Sequence, residues 1–174
     1  MTKKGFTLVE VLTVVAIIGI LSAAGYASLR QAIINSRVKD AAYNMAAFSE
    51  TVANKVKQIS DTVCVKVYEN RLVAYRSTCA LASETSVVLD QLEMPTGVNI
   101  VKSTVNNLQG SNWNSSDAGA QFEPRFGLSG APYEGYFLAR YLETDVYGAA
   151  VKVKNRNSFV SKISYDGMES WSDL

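Results

Sequence analysis

The stretch KKGFTLVEVLTVVAIIGIL, Lys3–Leu21, sets a short basic head in front of an apolar run that carries one carboxylate, Glu10, five residues after Gly5. From Val11 to Leu29 nineteen consecutive residues are uncharged, which matches the roughly 20 residues a helix needs to cross a hydrocarbon core. A cleavable secretory signal has a shorter apolar stretch, about 7–15 residues, and a small-residue cleavage site. Here the small residues Ser22-Ala23-Ala24-Gly25 run on into further helical pattern with no loop, so the segment reads as an anchor that is kept. Glu10 is discordant, because an acid in a transmembrane helix costs about 2.5–3.5 kcal/mol at the bilayer centre and less near the interface. Either it sits at the helix start and favours the positive end of the dipole, or it awaits a cationic partner in an assembled state.

This segment resembles the class III signal of type IV pilins and type II secretion pseudopilins: a basic leader ending in Gly5, then Phe6-Thr7-Leu8-Val9-Glu10, then an apolar helix. The resemblance implies that a prepilin peptidase cuts between Gly5 and Phe6 and methylates the new amine of Phe6. It implies that Glu10 faces the N-terminal amine of a neighbouring subunit, whose unperturbed pKa of about 7.7–8.0 keeps it cationic beside a carboxylate. It also places the chain in the bacterial inner membrane as a single-pass protein. By the same resemblance its N-terminus would be cytoplasmic and its head periplasmic until an inner-membrane assembly platform draws it from lipid into a fibre of pilin or pseudopilin subunits. Charge alone leaves the orientation open, since Lys3 and Lys4 precede the span while Arg30, Arg37 and Lys39 follow it.

At 174 residues the chain has room for one ordinary domain and an anchor. The expected organisation is a leader at 1–5, a transmembrane half-helix at 6–29, an amphipathic half-helix at 30–60 and a β-rich head at 61–174. Residues 1–60 hold seven Lys/Arg against three Asp/Glu, and the remainder ten against thirteen, so the head is mildly acidic. With no histidine, the chain lacks the commonest general base and the commonest zinc ligand. Asp117, Glu123, Glu134, Asp145 and Asp166 show no spacing that fixes a catalytic carboxylate pair. The expectation is a non-enzyme with no cofactor and no metal.

Beyond the span Leu29, Ile33, Ala41, Met45, Phe48, Val52, Val56 and Ile59 recur mostly at three- and four-residue steps, predicting one helix from about Phe6 to Gln58 whose second half packs on a sheet. Gly19, Ala23 and Ala27 recur every four residues, a ridge that lets another helix approach closely. Many major pilins carry a proline near this point, where this chain has Gly25 and Ala27.

The fold class is therefore α+β, a long N-terminal helix against an antiparallel β-rich head. VCVKVY and LVAYRSTC predict a hairpin over 63–79. A two-residue turn at Asn70-Arg71 puts Cys64 opposite Ser77 with Cys79 one step diagonal, while a four-residue loop, Asn70 to Val73, puts the two cysteines opposite each other. In an oxidising compartment Cys64 and Cys79 are a candidate disulfide closing a loop worth about 3 kcal/mol. SVVLDQL and GVNIVKSTV read as strands, QGSNWNSSDAGAQ as a polar loop containing the glycosylation triplet Asn114-Ser115-Ser116, and GYFLARYL, GAAVKVK and SFVSKISY as the last three strands. FEPRFGLSGAPYEGYFLARY is loosely similar to the minor pilin and H-type pseudopilin group, where a turn of this kind leads into the final strands.

The leading reading is a structural, minor subunit of a type IV pilus or type II secretion pseudopilus. The alternative is a fibre-tip binding subunit for DNA uptake or surface adhesion, with Lys152, Lys154, Arg156 and Lys162 as a phosphate-binding patch near Phe159 and Tyr165. Such charges also serve as the solvated face of an edge hairpin.

Overall fold

A computed structural model describes residues 7–102, 105, 107–114, 119–129, 134–142 and 146–174. The chain divides into two compact units, Met1–Asn35 and Ser36–Leu174. A single helix, α1 (Leu8–Ile59), contributes its first part to one unit and the rest to the other.

In the first unit the described residues are helical from Leu8 and carry exposed side chains from Leu8 to Leu29. In the second, α1 buries Val38, Ala41, Ala42, Met45, Phe48, Val52, Ala53 and Val56, a stripe at the 3.6-residue period. Leu29 and Ile33, assigned to that stripe by periodicity, are exposed, and Val38 belongs to it instead. The helix stops where Ser60 enters the left-handed region with φ 53° while its N–H still reaches Val56 O at 3.0 Å.

The head is α+β, with two sheets. The first contains β1 (Val63–Tyr68), β2 (Arg71–Tyr75), β3 (Val88–Glu93), β6 (Ala120–Glu123) and β7 (Gly127–Ser129) in the order β3-β2-β1-β6-β7, all antiparallel. The second contains β4 (Val98–Ile100), β8 (Gly135–Tyr141), β9 (Gly148–Asn155), β10 (Ser158–Ser164) and β11 (Ser172–Asp173) in the order β11-β10-β9-β8-β4. These pairings are antiparallel, and the short β5 (Ser111–Asn112) adds to β8 in parallel.

The Lys55 ammonium bonds Asp90 of β3 at 2.6 Å, and Ser161 Oγ of β10 donates to Ala42 O at 3.2 Å. Together these set the second part of α1 beside both sheets. The rings of Phe122 and Phe159 lie 6.0 Å apart, so the two sheets share one core. Where they meet, Leu128 N–H donates to Arg156 O at 2.8 Å. Gly127, at φ 73°, leaves room for Arg156 O and Asn157 that a Cβ would occupy. The other face of the second sheet is covered too: Tyr136, Leu138 and Ala150 pack with Val101 and Leu108, and with the half-buried Val105, Met168 and Trp171.

The β1–β2 register differs from both expectations. Tyr68 pairs with Arg71, so the turn is Glu69-Asn70, and Cys64 lies opposite Tyr75. Glu69 takes the left-handed conformation with φ 52°. That frees the Asn70 amide to donate to Val98 O and to accept from Ile100 N–H, each at 2.9 Å, which pins β4 to the hairpin. Strand β2 ends at Tyr75 rather than running to Cys79; the chain folds back, and Ala82 N–H caps a turn on Thr78 O at 2.9 Å. A disulfide joins Cys64 and Cys79 across a Cα separation of 4.9 Å. It is buried with Val73, Tyr75 and Ala82 on the outer face of the first sheet.

The segment QGSNWNSSDAGAQ is not wholly a polar loop. Ser111-Asn112 is strand β5, Ala120 and Gln121 begin β6, and Asn112, Trp113 and Asn114 are buried. Asn114 Nδ2 donates to Val101 O at 2.7 Å and to Leu138 O at 2.6 Å, tying β8 to the end of β4. Such an asparagine is closed to glycosylation in the folded head. Ser115, Ser116 and Asp117 lie outside the described residues.

Two consequences are measurable. Asn70→Ala leaves Ile100 N–H without its acceptor and should destabilise the head by about 1–3 kcal/mol in chemical denaturation of the detergent-solubilised chain; an unchanged midpoint would remove Asn70 as the staple of β4.

The second concerns Asp166, where Ser170 Oγ and Ser164 Oγ donate to the carboxylate and Ser170 N–H adds a bond at 3.0 Å, holding its pKa at about 2 against an ordinary 3.8. A lowered carboxylate pKa stabilises above the unfolded value and ceases to do so as pH falls through the folded one. Titration from pH about 4 to about 2 should therefore shift the amide resonances of Met168 and Ser170 as the turn opens. Asp166→Asn should abolish that acid step, and an identical step in the variant would assign it to another group.

Candidate functional site

Two regions carry chemistry. At the N-terminal start of α1, Thr7 and Glu10 form a reciprocal cap. Glu10 Oε2 accepts from Thr7 N–H and from Thr7 Oγ1, both at 2.9 Å, and Glu10 N–H reaches Thr7 Oγ1 at 3.3 Å. This is a capping box, with Thr7 at the N-cap and Glu10 three residues on. Thr13 Oγ1 adds a bond to Glu10 O at 2.9 Å. The carboxylate that stood out in the sequence therefore has two local donors. The T-x-x-E spacing of Thr7 and Glu10 is the signal that marks this box. Gly5 and Phe6 lie outside the described residues.

The rest of the segment is built for an apolar surrounding. Among the described residues one helix, α1, is long and apolar enough to cross a membrane, and its most apolar window is unburied. Gly19, Ala23 and Ala27 lie at four-residue spacing on this exposed helix, and nothing stands within 4 Å of a Cβ built at Gly19. Another helix could approach closely there.

The second region is cationic. Lys152 and Lys154 share a face of β9, and Lys162 joins that face from β10, opposite Ala150. Lys162, however, is paired with the Asp173 carboxylate. Arg156 leaves the group: at the β9–β10 turn its guanidinium stands over the Phe126 ring, 6.0 Å from the centroid. The four expected cations thus do not form one patch.

Instead, Arg156 and its aromatic partner belong beside a groove of about 490 Å³ at the end of α1, lined by Lys57, Ser60, Thr62, Glu123, Arg125 and Phe126. Lys57 and Arg125 make no ion pair among the described residues. The nearby acids are engaged elsewhere. Glu123 Oε1 accepts from Gln121 Nε2 at 3.1 Å and from Ser129 Oγ at 2.5 Å. Asp61 is held below the usual carboxylate range by Arg76, whose Nε donates at 2.7 Å, and by Thr62 N–H at 2.8 Å. Lys57 and Arg125 escaped the sequence reading because they are 68 positions apart and only the fold brings them to one groove. The turn FEPRF, already visible, held half of the site.

Of the other carboxylates considered for catalysis, Asp166 is committed to Ser164 and Ser170, and Asp145 lies outside the described residues. No group of three metal-ligating side chains occurs among the described residues.

No curated protein and no solved structure matches the chain. Residues 1–26 match the family model of the prokaryotic N-terminal methylation motif, a match that covers the start of the chain and not its head. The chain carries the prokaryotic N-terminal methylation motif, the class III prepilin signal, ahead of a long apolar helix, as type IV pilins and pseudopilins do.

Proposed function

We propose that the chain is a structural, non-enzymatic subunit, and a minor one, of a type IV pilus or type II secretion pseudopilus. The observation that carries this reading is the methylation motif at residues 1–26 on a helix whose apolar side chains are exposed. A prepilin peptidase cuts between Gly5 and Phe6 on the cytoplasmic face and methylates the Phe6 amine. Residues 6–29 then hold the subunit in the inner membrane with its head in the periplasm, until an assembly platform transfers it from lipid to the fibre. The Gly19, Ala23 and Ala27 face supports close helix packing there, and the Cys64–Cys79 disulfide fits an oxidising compartment. The minor role rests on the FEPRF turn leading through β7 into the final strands.

In this reading Glu10 has two functions that can be separated. Its side chain caps the helix, and its charge meets the Phe6 amine of a neighbour. Glutamine keeps the oxygen that a capping box needs and removes the charge.

The experiment follows from that difference. Gly5→Ala should leave the leader attached and the Phe6 amine unformed, read as a retained leader mass and absent N-methylation in the mass spectrum; normal cleavage would remove the basis of the proposal. Glu10→Gln and Glu10→Ala should both be cleaved and inserted normally, and both should enter fibres several-fold less well at limiting subunit levels, because the amine adds to the Thr7 donors only the difference that charge makes. Full assembly of Glu10→Gln beside failure of Glu10→Ala would assign Glu10 to the cap alone.

A further inference from the structure

We infer that the groove at the end of α1 binds single-stranded nucleic acid, with Phe126 as the stacking platform and Lys57 and Arg125 as phosphate contacts. The inference concerns the head alone and does not depend on how the subunit enters a fibre.

Four observations converge on it. The groove, at about 490 Å³, is large enough for a nucleotide-sized group. Lys57 and Arg125 line it without an ion pair among the described residues; Glu123 also lines it, held by the neutral donors Gln121 and Ser129, so two cations face one carboxylate, while Asp61 is paired with Arg76. Phe126, a large apolar ring, is 54% exposed in a molecule that buries its other described head phenylalanines, Phe122, Phe137 and Phe159. The Arg156 guanidinium over that ring gives the platform a cationic partner.

Charge of this sign next to an exposed ring is what a nucleotide unit requires, since the phosphate takes the cations and the base takes the ring. An acidic protein segment would use the cations and leave Phe126 idle. A duplex hides its base faces and would likewise gain nothing from the ring. The C-terminal end of α1 is the negative pole of its dipole, and Lys57, in the last turn, offsets it.

The test uses the full-length chain in detergent micelles and a fluorescein-labelled twelve-nucleotide oligothymidine, read by anisotropy from about 20 to about 300 mM salt. Oligothymidine should bind more tightly than the matching duplex or polyglutamate. Lys57→Ala with Arg125→Ala should reduce the slope of log affinity against log salt by about 1.4, two phosphate contacts on a single strand. Phe126→Ala should weaken oligothymidine about tenfold, and Phe126→Leu, which keeps apolar bulk and loses the ring, should do the same. Three results would overturn the inference: no binding at the lowest salt, binding indifferent to all of these substitutions, or preference for polyglutamate, which would assign the groove to an acidic protein partner.

Discussion

The exposed apolar surface of the first part of α1 constrains everything else about this chain. Its backbone is satisfied internally, as any helix in lipid must be. Its side chains are not, since Leu8, Leu12, Val15, Ile18 and Leu21 among others stand open. Each such side chain left in water forgoes about 1.5–3 kcal/mol of burial. Hydrocarbon or other helices supply such surroundings, and in the proposed reading the subunit meets both in succession.

The second unit meets the opposite demand with the same element. There α1 offers one apolar stripe, Val38 to Val56, while Lys39, Asp40, Asn44, Glu50 and Asn54 stand exposed. Two twisted sheets converge on a single helix by sharing a seam, with Phe122 near Phe159 and the β7 amide of Leu128 on the Arg156 carbonyl. The outer faces then need separate covers. The disulfide-held turn protects the first sheet, and the segments around Val101–Leu108 and Met168–Trp171 protect the second. The described residues of those covers form no regular element, and polar groups hold them: Lys66 Nζ on Ala82 O at 3.1 Å, Cys79 N–H on Gln121 Oε1 at 3.0 Å, and Asn107 Nδ2 on Glu169 O at 2.6 Å.

Legibility followed period and length. The helix and strands β8, β9 and β10 were readable because each runs for seven or more residues. Strands β5, β7 and β11 are two or three residues long, below the length at which alternation registers, and β5 lay in a stretch whose composition reads as loop. The hairpin register slipped because Arg71 reads as a turn residue beside Asn70, whereas Arg71 already pairs with Tyr68 and the turn is Glu69-Asn70. From that turn the Asn70 amide acts as a substitute strand for β4, and Asn114 does the same between β4 and β8. An asparagine in a turn and an asparagine stapling a strand look alike until the third dimension is known. The same holds for the groove: Phe126 sits in a readable turn, but Lys57 reaches it only through the fold.

The capping box changes the energetics of Glu10 in the proposed assembly. If the carboxylate were bare in lipid, pairing with a neighbour's amine would relieve a full desolvation cost and could drive assembly outright. With Thr7 N–H and Thr7 Oγ1 already at 2.9 Å, the neighbour's amine competes with donors in hand. Bonds to a charged group are worth about 1.5–3 kcal/mol net, so exchanging one donor for another returns only a difference. What the local donors lack is charge. An ammonium group is therefore distinguishable from any polar side chain a misplaced helix would offer, and a helix set one turn out of register brings no amine to the carboxylate at all. Cohesion must then come from helix packing along the apolar surface, where small residues permit close approach. In the proposed assembly Glu10 would contribute the choice of register, with its cap keeping the subunit tolerable in lipid until that choice is made.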